Sequence, residues 1–154
     1  MKRFKFNLEK LLEIRQKKEE LQKANLAKAS GAYQAELNKV EKIKNNVKEY
    51  KKYYIGEKKN LTVENLRFIE NIVNNASKAI ENLKPVIEEK KAKMEKELEL
   101  YNQLRRDKRV VEILKEKSYK KYLEEAGREE QKNIDEIAKD TYIKSKANKI
   151  TSEN

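Results

Sequence analysis

Cysteine, histidine and tryptophan are all absent from this 154-residue sequence. Without Cys there is no disulfide framework, no thiolate nucleophile and no Cys-based metal site. Without His the chain lacks the commonest general base and the commonest transition-metal ligand. A carboxylate pair would still need a concave pocket to perturb its pKa values, and a two-helix rod offers none. These absences argue against an enzyme and call for no cofactor and no metal. Proline occurs once and glycine three times, so helix breakers are few. No apolar run approaches the length of a bilayer crossing, so no transmembrane segment is expected. The start, Met1-Lys2-Arg3-Phe4-Lys5-Phe6-Asn7, is basic but has no apolar stretch behind it, unlike a signal peptide. A cytoplasmic protein is expected.

What the sequence does have is charge. Charged residues make up 42% and hydrophobic residues 37%, too thin an interior for a compact sphere but enough for an apolar seam on long helices. Disorder is disfavoured because the apolar residues recur at regular intervals. The net charge of +11 has two readings. One is an acidic partner; the other is a Lys-rich solvated face. Glu13 with Lys17, Glu19 with Lys23, Glu89 with Lys93 and Glu124 with Arg128 are spaced as i,i+4 pairs, which favours exposed helix over a focused basic patch.

The spacing predicts a first helix over about 7–55, with Asn7 as cap and Phe6 and Leu11 as a hydrophobic staple. Leu26, Tyr33, Val40, Val47 and Tyr54 form a heptad row, accompanied by Ala29, Ile43 and Tyr50 and broken at Glu36. Leu8, Leu11, Leu12, Ile14 and Leu21 lie off that register, which implies a shift of the seam near residues 21–26. Gly56 can adopt the left-handed conformation that ends a helix, and a turn over 56–61 follows. Thr62 as N-cap, Glu64 in the first turn and the staple Leu61 and Leu66 start a second helix over about 62–145. Its rows are Leu66, Val73, Ile80, Ile87, Met94 and Tyr101, then Ile69, Ala76, Leu83, Leu104 and Val111, with Lys90 and Glu97 as interruptions. After Val111 the pattern blurs, and a frayed tail over 146–154 is expected. Pro85 falls on the solvent side, with a kink or local restart expected there. The fold class is therefore all-α: a single domain, 1–154, forming a long antiparallel two-helix coiled coil whose second helix is the longer. At 1.5 Å per residue the helices are roughly 75 Å and 125 Å long, so the first would reach to about Val111 and leave the rest of the second projecting, unless Pro85 diverts the chain and residues 86–140 do the pairing.

The two ends carry a resemblance. Phe4-x-Phe6-x-Leu8-Glu9-Lys10-Leu11-Leu12-Glu13-Ile14-Arg15 resembles the amino-terminal signature of the flagellar export protein FliJ family. Arg128-x-Glu130-Gln131-Lys132-x-x-Asp135-Glu136-x-Ala138 resembles that family's carboxy-terminal motif, and the Gly-containing turn with an apolar helix from Leu61 to Leu83 fits between them. The resemblance implies an antiparallel coiled coil similar to the central stalk of rotary ATPases. It further implies a seat in the hexameric flagellar export ATPase ring, promotion of ring assembly, and contacts with the export gate protein FlhA and with export chaperones. The location implied is peripheral, at the cytoplasmic face of the inner membrane at the flagellar base. The ATPase or export-apparatus contact maps onto Arg128, Glu130, Gln131, Lys132, Asp135 and Glu136, and the gate contact onto Ile72, Ala76, Ala79 and Leu83. Plain structural roles stand beside both: a solvated face for the first, and seam packing for Ala76 and Leu83.

A basic coiled-coil scaffold binding nucleic acid or another acidic partner is the rival reading, prompted by Lys51-Lys52 beside Tyr50, Tyr53 and Tyr54. No helix-turn-helix, zinc-finger or RNA-binding motif accompanies those residues, so no specific nucleic acid is expected. Membrane-surface binding is disfavoured by the absence of Trp and the confinement of Phe to positions 4, 6 and 68.

Overall fold

In a computed structural model, residues 3–56 and 62–151 are described, with side chains described up to Lys146. Two helices account for almost all of them: α1, Glu9–Ile55, and α2, Val63–Thr151. They pack antiparallel, and α2 is the longer. Of the turn expected over 56–61 all but Gly56 lies outside the described residues, Leu61 of its staple included, as does the end of the tail. No helix among the described residues is long and apolar enough to cross a membrane. The chain packs as two compact units, one of Met1–Arg15 with Asp107–Asn154, the other of Gln16–Arg106.

In the Gln16–Arg106 unit the packing rows follow the heptad more strictly than the apolar residues suggest. On α1, Leu26, Tyr33, Val40, Val47 and Tyr54 are half-buried as expected and Ala29 is buried. The expected register shift near residues 21–26 does not occur. Glu19 and Gln22 hold the same two rows one heptad earlier, and Gln22 is only 5% exposed while Leu21 beside it is 66% exposed. Glu36, expected to break a row, sits in it half-buried, whereas Tyr50 is exposed. On α2, Lys90 and Glu97 likewise occupy half-buried places between Leu83 and Leu104. The reason is geometric: a heptad position is set by the helix period, and a polar residue there stays in the interface if it finds partners or snorkels. Near the turn Ile69 takes the innermost place at 5% exposure, and Leu66 next to it is left exposed. Tyr54 closes this end edge-to-face on Phe68, ring centroids 5.1 Å apart.

The helix ends show which local signals act. Thr62 caps α2: its Oγ1 accepts from the Asn65 N–H at 3.2 Å and its carbonyl from the Leu66 N–H at 3.0 Å. Asn7 caps nothing. The chain instead turns so that the Glu9 N–H donates to the Phe6 carbonyl at 3.3 Å, and α1 starts at Glu9. Gly56 does not use a left-handed conformation, because no described glycine has positive φ. Glycine is needed there for space: its N–H donates to the Lys52 carbonyl at 3.1 Å, and a Cβ would collide with that carbonyl oxygen. Pro85 lies exposed inside α2 with helix on both sides. Having no N–H, it leaves the Glu81 carbonyl without its usual donor, on a face that water reaches. Of the spaced charge pairs, Glu13–Lys17, Glu89–Lys93 and Glu124–Arg128 do not close, whereas Glu36–Lys39 does at 2.7 Å. Exposed pairs of this kind contribute only a few tenths of a kcal/mol, too little to hold two long side chains together.

Gly31 and Gly127 lie inside helices, and a Cβ on either would meet nothing within 4 Å. Gly31→Ala should therefore raise stability by about 0.5–1 kcal/mol, read as a higher urea midpoint in far-ultraviolet circular dichroism. An unchanged or lower midpoint would show that the small side chain at 31 is needed for packing.

Candidate partner-binding surfaces

The amino-terminal signature residues act as a clamp on α2. In the unit of Met1–Arg15 with Asp107–Asn154, Phe4 lies against two tyrosines, with ring centroids 5.1 Å from Tyr119 and 5.4 Å from Tyr122. The Lys115 ammonium donates to the Glu9 carboxylate at 2.7 Å, and the Arg15 guanidinium donates to the main-chain carbonyl of Asp107. Phe6, Leu11 and Leu12 are half-buried, and Leu8 and Ile14 are exposed. Val111, at 2% exposure, is the most deeply buried side chain of this unit. The aromatic contact reaches Tyr122, farther along α2 than the expected Val111, because residues 3–6 precede the helix and extend the reach of the chain.

Beside the clamp, Phe4, Arg109, Glu112, Lys115, Glu116 and Tyr119 line an open recess of about 580 Å³. Arg109 spans two carboxylates, at 3.2 Å from Glu112 and 3.1 Å from Glu116. The Glu112 hydrogen bond first, and then the Glu116 charge, hold the Arg109 guanidinium further above its ordinary range. The group is exposed and fully charged at any working pH, so this network orders side chains and has no switching role.

Beyond Ala126 the character of α2 changes. Every described side chain from Gly127 to Lys146 is exposed, including Arg128, Glu130, Gln131, Lys132, Asp135 and Glu136. The carboxy-terminal motif thus lies on a stretch of helix whose side chains no other described element covers. The Gln131 side-chain amide donates to Asp135 at 3.0 Å, as the i,i+4 spacing suggests, while Lys132 and Glu136 do not pair. Ile134, Ile137, Tyr142 and Ile143 are also exposed along it. Large apolar side chains thus recur on a stretch of helix that no other described element covers.

Ile72, Ala76, Ala79 and Leu83 fall at i, i+4, i+7 and i+11 on α2 in the Gln16–Arg106 unit, and all four are half-buried. They form one strip, and Ala76 and Leu83 share the packing row of Ile69. The six carboxy-terminal motif residues and these four belong to different units.

The clamp residues are the ones quoted as an amino-terminal signature, and the exposed helix carries the carboxy-terminal one. The family model of the flagellar FliJ protein matches residues 4–147. The chain belongs to the FliJ family. No curated protein and no solved structure matches it. FliJ-family membership places the chain in the flagellar export apparatus, as a component of a non-catalytic family. The two-helix architecture agrees with what the resemblance implies. In this FliJ-family chain, the spacing of the first fifteen residues was legible in the sequence but their structural task was not. Pairing Phe4 with Tyr119 and Glu9 with Lys115 requires the antiparallel register, which becomes visible only once both helices are placed.

Proposed function

We propose that this chain is a non-enzymatic stalk and adaptor of the flagellar type III export apparatus. In this reading it sits in the hexameric export ATPase ring, promotes ring assembly, and couples the ring to the export gate FlhA and to export chaperones. It does so at the cytoplasmic face of the inner membrane, at the flagellar base. The observation that carries the reading is the uncovered carboxy-terminal stretch of α2, where Arg128, Glu130, Gln131, Lys132, Asp135 and Glu136 are all exposed. Polar contacts through these residues let a stalk shift against ring loops, whereas a deep apolar interface would hold it fixed. The gate contact is assigned to the exposed edges of Ile72, Ala76, Ala79 and Leu83.

The test is capture of the cognate export ATPase by this chain at physiological salt, with ring formation followed by electron microscopy. One chain per hexamer and more complete rings are expected. Changing Gln131, Lys132, Asp135 and Glu136 together to Ala should weaken capture by about 10-fold or more, with helicity unchanged. Absence of capture by the unaltered chain, together with salt-sensitive retention on nucleic acid, would replace this reading with that of a basic coiled-coil scaffold.

A further inference from the structure

The middle of the Gln16–Arg106 unit departs from a regular seam in a particular way. Ala29 and Ala32 on α1 lie where Lys90 comes from a packing row of α2, and the small side chains leave a groove of about 360 Å³. Asn25, Lys28, Lys93 and Glu97 complete its walls. Three lysines therefore line the groove with one glutamate. Glu97 is already engaged: its carboxylate and its main-chain carbonyl both accept from the Gln22 side-chain amide, the latter at 3.1 Å. Lys28, Lys90 and Lys93 have no ion-pair partner among the described residues, and Glu89, one turn before Lys93, does not close onto it. Lys90 is half-buried on the row of Ile69, Ala76, Leu83, Glu97 and Leu104. A leucine there would have filled the space beside the alanines. With its stem along the seam and its ammonium free to snorkel toward water, Lys90 adds to the positive charge of Lys28 and Lys93 at the groove.

We infer that this groove binds the carboxylate side chains of an acidic protein segment. The inference stands independently of the proposed ATPase and gate contacts. Carboxylates fit the lining better than phosphates do. All three cations are lysines, point charges that attract a single carboxylate oxygen without needing a planar fork. The groove lies in mid-helix, where main-chain N–H groups are consumed by the helix itself and no anion-binding nest of amides exists. Its Ala29 and Ala32 methyl groups offer an apolar floor for the methylene stems of Asp and Glu.

The experiment uses the full chain at physiological ionic strength and a short fluorescein-labelled peptide alternating Glu and Ala, read by anisotropy. K28Q/K90Q/K93Q should weaken binding by about 10-fold or more, whereas the charge-matched K42Q/K44Q/K48Q should weaken it by less than about 2-fold. Thermal melts establish that both variants remain folded. Peptide titration should also move the main-chain amide resonances of residues 25–32 and 90–97. Equal loss in the two triple variants would reduce the effect to overall charge and overturn the assignment. Absence of binding to the unaltered chain would overturn it too. Displacement of the peptide by inorganic phosphate or duplex DNA, acting through the same three lysines, would replace the acidic segment with a phosphate ligand.

Discussion

Val111→Asp should cost the clamp unit about 3–5 kcal/mol, enough to release residues 4–15 from α2. Val111 is the innermost side chain of that unit, so a carboxylate there would be buried with no partner placed to receive it. The neighbouring cations already have partners, Lys115 in Glu9, Arg109 in Glu112 and Glu116, and Lys108 in Glu112. Val111→Ala separates charge from volume: losing the two methyl groups should cost about 2 kcal/mol. Hydrogen exchange of the amides of Glu9–Arg15 gives the readout. Aspartate should abolish their protection and alanine should lower it. Full protection in the Asp variant would show that the amino-terminal segment is held by contacts other than those around Val111.

A second large effect is expected at Gln22, and it reverses when its partner is also changed. Gln22→Leu removes the donor that serves both the Glu97 carboxylate and the Glu97 main-chain carbonyl, which should cost about 1–3 kcal/mol. Replacing both, as in Q22L/E97L, should recover that loss or exceed it, because an apolar pair carries no desolvation penalty. Urea denaturation of the two single variants and the double variant gives the coupling directly. Simple addition of the two single effects would mean that the hydrogen bonds contribute nothing to stability. The polar layer has a second role that the same variants test. A single buried polar pair can pin the register of a coiled coil. The double variant should therefore populate swapped dimers in size-exclusion chromatography even as its midpoint rises.

The features legible in the sequence were those written in apolar residues and in caps. Leu26 through Tyr54 and Val73 through Tyr101 announced their rows, and Thr62 announced the second helix. Gln22, Glu36, Lys90 and Glu97 were hidden because a search for apolar residues treats a polar one as a break. Counting by seven without regard to residue type would have found all four. Asn7 misled because cap propensity was outweighed by the docking of Phe4 and by the turn in which the Glu9 N–H donates to the Phe6 carbonyl. Of the candidate surfaces, the carboxy-terminal motif was expected on the projecting part of the second helix, and all six of its residues are exposed. The groove at Lys90 was not legible, since it depends on which alanines of α1 lie opposite.

The pairings between α1 and α2 also differ in how much chain each must close. Gln22 and Glu97 are 75 residues apart, Arg15 and Asp107 are 92 apart, and Glu9 and Lys115 are 106 apart. The entropy lost on closing a loop grows with its logarithm, and each contact already made nearer the turn shortens the loop left for the next. Folding is thus cheapest as a zipper that starts where Tyr54 meets Phe68 and runs away from the turn. The same ordering, run backwards, makes the grip of Phe4 on Tyr119 and Tyr122 the first contact to open. The segment that carries the family signature is therefore also the one that a partner can rearrange at the lowest cost in folding free energy.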